Sequence, residues 1–253
     1  MRLLHYTYDI ADFLSGTGSK VMVEEYTYIM SRIRFLADQH YEQRCGSHLY
    51  DEIRNRYPID FQEGDFSLED NLVETCSLLM LNMIAGTCGD PLPNVRAEAA
   101  ILRYLKAGKP TLLLHGSSAA FWMWDWWRPQ VGFRWVRGNC PSGLPPSTHP
   151  VRPFHLAKSK TSHPLLANLQ EMDVPKDEIY IHLEQTRPTL TLMETTTDEG
   201  TFPQAYLTTS DWGGTIAGYI PGHRPDVVRA PAMVSNVCAI IDFLLKENPV
   251  RGA

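Results

Sequence analysis

The chemistry of this chain is carried by histidines and acidic residues placed where strands are expected to stop. His115 closes the run Thr111-Leu112-Leu113-Leu114 and leads into Gly116-Ser117-Ser118. An imidazole titrates near neutrality, so a strand-end histidine can serve as acid, base or ligand. His223 repeats the arrangement after Tyr219-Ile220-Pro221-Gly222. Read as a strand, Lys176–Glu184 sets Asp177, Ile179 and Ile181 on one face and Glu178, Tyr180 and His182 on the other. A carboxylate, a phenol and an imidazole on one side can bind hydroxyls, relay protons or ligate a metal. His149 and His163 each precede a proline, which holds the residue before it extended. His149 follows a long loop and is expected to reach the rim, whereas His163 reads as a structural turn.

Two further patterns compete for attention. Gly116-Ser117-Ser118-Ala119-Ala120 approximates the G-x-S-x-G nucleophile elbow, and Asp211 and His223 downstream supply a Ser…Asp…His order. The alternative for Ser118 is a helix cap. Five of the six tryptophans fall between residues 122 and 135. A helical reading puts Trp122 and Trp126 on one face and Trp124 and Trp127 on another. Some must enter the core, leaving Trp122 or Trp126 as a stacking face for a sugar ring or as part of a subunit contact.

The elements that must hold these residues alternate between strand and helix in the first half. An opening strand at 2–9 and a long helix over 19–44 are expected, then strands at 57–64 and 76–86. A helix over 93–109 has Gly108 as its stop, and a buried strand follows at 110–116. That order predicts a parallel sheet with helices on both faces, whose ligands gather at the carboxyl ends of the strands. The second half has a Pro-, Gly- and Ser-rich loop at 138–150 and short strands at 153–159, 178–184, 189–195 and 205–222. An amphipathic helix over 230–247 closes the chain. No repeat or low-complexity linker divides residues 1–253, which are expected to form a single domain.

Composition narrows the function. The 253 residues are 43% hydrophobic and 21% charged, enough to bury a sizeable core. A net charge of -6 without a basic stripe argues against nucleic-acid binding. No apolar run reaches membrane-spanning length, and the N-terminus has no signal-peptide pattern. A cytoplasmic location is therefore expected. The five cysteines are scattered, without a C-x-x-C pair, and fit neither a disulfide framework nor a thiolate zinc site.

Taken in order, "LLLHG", "STHP", "SHPLLANL", "DEIYIH" and "DWGGTIAGYIPGHRPD" resemble the ThuA-like (trehalose-utilisation) family across residues 75–245. The resemblance implies an α/β, flavodoxin-like three-layer sandwich with a mainly parallel central sheet, similar to class I glutamine amidotransferases. In those enzymes the turn after the equivalent strand holds a nucleophilic cysteine. Here His115 takes that place, so thiolate glutamine hydrolysis is not expected. The resemblance further implies carbohydrate metabolism, on trehalose-like disaccharides or keto-sugars.

These readings assign catalysis to His115, Glu178 and His223, and substrate binding to Gly116, Ser117, Trp122, His149, Tyr180 and His182. The same residues could hold a divalent, zinc-like metal. The expected partner is a small-molecule sugar, with neither nucleic acid nor membrane, and a homodimer is compatible. The rival readings are a serine hydrolase using Ser118, Asp211 and His223, and a non-catalytic binding or assembly module.

Overall fold

The computed structural model describes residues 32–39, 42–64, 71–86, 92–138 and 143–247. Its centre is a nine-stranded sheet. The first-half strands are β1 (Ile33–Ala37), β2 (Ile59–Glu63), β3 (Leu78–Asn82) and β4 (Thr111–Leu114). The second half contributes a two-residue strand β5 (Phe133–Arg134), then β6 (Val151–Lys158), β7 (Met172–Glu178) and a second two-residue strand β8 (Glu184–Gln185). It continues with β9 (Thr189–Thr197), β10 (Gly200–Thr209) and β11 (Thr215–Tyr219). The spatial order is β2-β1-β3-β4-β11-β10-β9-β6-β7, and β5 pairs with β8 apart from it. Strands β2, β1, β3, β4 and β11 run parallel, and β10, β9, β6 and β7 extend the sheet antiparallel.

The sheet is thus mixed, with a parallel core of five strands and an antiparallel extension. The run 205–222, read as one strand, is two: β10 turns at Ser210–Gly214 and returns as β11. Gly214 makes this turn possible, because a Cβ there would stand 2.6 Å from the Lys109 carbonyl oxygen.

Alternate residues of the parallel strands enter two separate cores, which is the period-2 signature of a sheet buried on both faces. Ile33, Phe35, Leu78, Met80, Leu112 and Leu114 pack on one side, whereas Leu36, Leu79, Leu81 and Leu113 pack on the other. The first side is covered by α1 (Cys45–Ile53), the short α4 (Pro225–Val228) and α5 (Pro231–Glu247). The second is covered by α2 (Leu72–Thr75), α3 (Val95–Lys106) and the tryptophan-bearing segment. This is the three-layer α/β architecture the resemblance implied.

Helix α3 forms as the sequence dictates. Asn94 caps it by accepting from the Arg96 and Ala97 N–H groups at 3.0 Å, and Gly108 (φ +69°) ends it. Within the expected helix over 19–44, residues 33–37 are strand β1. The rest of that expected helix up to residue 31, and the strand at 2–9, lie outside the described residues. An apolar run clamped between β2 and β3 gains two ladders and two buried faces, which outweighs a helical repeat. The tryptophan segment is not a helix either, but a chain of turns through residues 119–130. Trp124 and Trp127 are core residues of the second side, stacked and edged on Phe121. Cys45, Cys76 and Cys238 are buried free thiols.

Candidate active site

Strand β4 stops because His115 turns the chain, with φ +45°, into a 3-10 turn over His115–Ser118. A non-glycine residue in this region is strained, and such strain concentrates at functional turns. The sharp strand-to-helix turn is the geometry of a nucleophile elbow, with an imidazole at its apex. His115 is almost fully buried, and its Nδ1 donates to the Ile220 carbonyl at 3.0 Å, just beyond β11. That hydrogen bond fixes the tautomer and leaves the Nε2 lone pair facing the cluster.

Three further side chains meet that nitrogen. Glu178 Oε2 lies 3.5 Å away, His223 Nδ1 3.3 Å away, and the Tyr180 hydroxyl 3.3 Å away. His223 Nδ1 is in turn 3.6 Å from Glu178 Oε2, so two nitrogens and one oxygen form a nearly equilateral triangle. His149 Nδ1 approaches the other carboxylate oxygen, Oε1, at 3.1 Å from the half-exposed side. Trp135 walls this group, its ring edge-on to Tyr180 at 5.0 Å and tilted on His149 at 5.4 Å.

The electrostatics suit proton traffic near neutrality. Burial, helped by Asp177 next door, pushes the Glu178 carboxyl up to about 7. Burial likewise raises Asp177 to about 6. His223 moves the other way: burial, then the nearby His149 and Arg224, lower its pKa and favour the neutral imidazole. Such opposed shifts within one cleft characterise functional clusters.

The structure brings His115, Glu178, His223, His149 and Tyr180 together, and places the other candidates elsewhere. His182 leaves the alternation, because β7 ends at Glu178 and the expected strand over 178–184 breaks up into the isolated Thr148–Ile181 bridge and the start of β8. With φ +59° it turns outward and packs edge-on against Phe202 at 5.7 Å. Ser117 points away from the cluster: its hydroxyl donates to the Leu81 carbonyl and accepts from the Met83 N–H, tying the turn to β3. Gly116 is buried in the turn, its carbonyl accepting the Ala119 N–H. The half-buried Trp122 ring packs instead with the guanidinium groups of Arg137, Arg128 and Arg134, at 4.5, 5.1 and 5.7 Å from its centroid.

The serine triad fails on topology. Asp211 lies in the β10–β11 turn, at the end of β11 opposite to His223, and is bound there by Gln130 and Arg187. The Ser118 hydroxyl is buried without a hydrogen-bond partner. Sequence reasoning missed Trp135 and Asp177. Asp177 was legible only as the opposite-face neighbour of Glu178, and Trp135 only as the last of the tryptophans.

A three-layer α/β sandwich with a histidine at the apex of the turn after β4 is the class this fold and turn define. The family model of ThuA, described as trehalose utilisation, matches residues 36–240, and the chain belongs to that family. A ThuA-like protein from Parabacteroides merdae is similar over 88% of this chain and 92% of its own, at 15% identity and a TM-score of 0.67. One from Bacteroides uniformis covers 87% of this chain and 93% of its own, at 12% identity and a TM-score of 0.65. A cytoplasmic protein of Salmonella typhimurium aligns over 83% and 98%, at 11% identity and a TM-score of 0.58. No curated protein matches the chain significantly. No described helix is long and apolar enough to cross a membrane.

Proposed function

We propose that the protein is an enzyme acting on a hydroxyl-rich small molecule of the carbohydrate class. Its centre is His115, Glu178 and His223, which hold a divalent metal ion of the zinc type. The observation that carries this reading is the ligand triangle, with edges of 3.3, 3.5 and 3.6 Å. Tetrahedral coordination at roughly 2.0–2.1 Å spaces ligand atoms by about 3.3–3.4 Å, and two histidines with one carboxylate and an open position form a recurrent catalytic set. The Ile220 carbonyl on His115 Nδ1 is the outer contact that such a ligand histidine ordinarily makes. The ion would supply polarisation of a substrate oxygen or of bound water.

The chain's own groups then move the protons. Half-exposed His149, 3.1 Å from the second carboxylate oxygen of Glu178, links the buried cluster to solvent and can pass protons. The Tyr180 hydroxyl and the Trp135 face stand where a substrate hydroxyl and a sugar ring would rest. The family's description, trehalose utilisation, supports the carbohydrate class. The acidic net charge supports a small-molecule partner over nucleic acid, and the Salmonella relative supports a cytoplasmic location.

The test is elemental analysis of protein purified without added metal, together with turnover of disaccharides and their keto derivatives. About one equivalent of a first-row metal is expected, lost with activity in His115→Ala and Glu178→Ala. A metal-free parent that ignores chelator and added zinc would remove the metal. Parental turnover in both variants would remove the site.

A further inference from the structure

Asp177 is fully buried beside the cluster but is not part of the triangle. Its Oδ2 accepts two backbone N–H groups, Gly222 at 2.7 Å and His223 at 3.3 Å. This contact joins β7, at the sheet edge, to the segment after β11 in the sheet's middle, with β10, β9 and β6 between them. No ladder sets the Gly222–His223 turn against Glu178, so the Asp177 carboxylate fixes that relationship directly.

The turn needs such a clamp. Gly222 has φ +121°, a conformation side chains rarely adopt, and a Cβ there would stand 3.0 Å from Met233 and Val228. On the other side of the residue, the Cys45 thiol donates to the His223 carbonyl at 3.0 Å. His223 is therefore gripped at both its N–H and its C=O. The other oxygen of Asp177, Oδ1, is buried without a hydrogen-bond partner, a costly arrangement that calls for an explanation beyond packing. Because adjacent residues of an extended chain point to opposite faces, one strand end supplies Glu178 to the cluster and Asp177 to the turn that carries His223.

We infer that Asp177 is a positioning residue: it holds the Gly222–His223 backbone so that His223 Nδ1 faces His115 Nε2 and Glu178 Oε2. Its consequence for metal binding rests on the function proposed above; its effect on His223 does not.

The experiment measures cobalt(II) affinity and the imidazole NMR resonances of the full chain in the parent, Asp177→Ala, Asp177→Asn, His223→Ala and Asp177→Ala/His223→Ala. Loss of the clamp is expected to weaken cobalt binding by about 10–100-fold, the usual effect of losing an outer contact to a metal ligand. It should also shift the His223 resonances while those of His163 stay in place. Asp177→Asn keeps an oxygen acceptor and is expected to restore most of both, and Asp177→Ala should add nothing once His223 is gone. Parental His223 resonances in folded Asp177→Ala, or a full additional loss in the His223→Ala background, would overturn the inference. If Asp177→Ala does not fold, Asp177→Ser against Asp177→Asn carries the same comparison. If the parent binds no cobalt, the metal reading falls, and the resonances alone decide the role of Asp177.

Discussion

His115 Nε2 lies 3.5 Å from Glu178 Oε2, although one residue closes β4 in the middle of the sheet and the other closes β7 at its edge. The pairing joins the ends of two strands that have β11, β10, β9 and β6 between them in the sheet order. The cluster's behaviour should therefore respond separately to the elbow, to the carboxylates and to the tryptophan segment.

The elbow is strained because His115 sits at φ +45°. His115→Gly and His115→Ala both remove the imidazole, but only glycine accepts this backbone without cost. His115→Gly is expected to be more stable than His115→Ala by about 1 kcal/mol. Chemical denaturation of the two variants measures this. Equal stability would mean that the turn relaxes when the ring is removed.

The carboxylates make the metal-free protein sensitive to pH. Glu178 is raised to about 7 and Asp177 to about 6, above unfolded values near 4. A raised carboxyl contributes stability that is complete below about pH 4 and lost as pH rises through about 6 to 7. The lowered pKa of His223 acts in the opposite direction as pH rises towards the ordinary imidazole value, so the parent must be compared with Glu178→Gln. After chelation, the parent's Tm is expected to fall relative to that variant between about pH 4 and 7. A constant difference across the range would contradict the burial argument. A bound cation should abolish the fall by holding Glu178 ionised.

The two elbow serines should behave oppositely. Ser117 makes two buried hydrogen bonds to β3 and the residue beyond it, and Ser117→Ala is expected to cost about 1–2 kcal/mol. Ser118 buries an unpartnered hydroxyl, so Ser118→Ala is expected to be neutral or stabilising by up to about 1 kcal/mol. Thermal melts give both values. A fluorophosphonate probe is expected to leave the parent unlabelled, and labelling lost in Ser118→Ala would revive the serine hydrolase.

Trp122 packs among three arginines. Trp122→Ala exposes Arg128, Arg134 and Arg137 to one another and is expected to cost about 1–3 kcal/mol, with metal affinity unchanged within about twofold. Calorimetry with zinc alongside a melt separates the two effects. Unchanged stability with weakened ligand binding would return Trp122 to the site.

The sequence by itself determined the local units whose physics is local. The Asn94 cap and Gly108 stop define α3, the apolar runs at 76–86 and 110–116 contain the buried strands β3 and β4, and a histidine after each of two strands marks a rim. Those features follow from capping, apolar runs and turn chemistry, which act within a few residues. The segment at 33–37 carries helical spacing and became a strand because β2 and β3 stood ready on either side. Tertiary structure alone decided which rim residues meet. Glu178 and Tyr180, at and just beyond the end of β7, join His115 at the end of β4, and a left-handed backbone at His182 turns that side chain out of the same group. Likewise, the hairpin turn carries Asp211 to the end of β11 opposite to His223. The triangle of His115, Glu178 and His223 depends on contacts between residues distant in the chain, and neither spacing nor residue type encodes such distances.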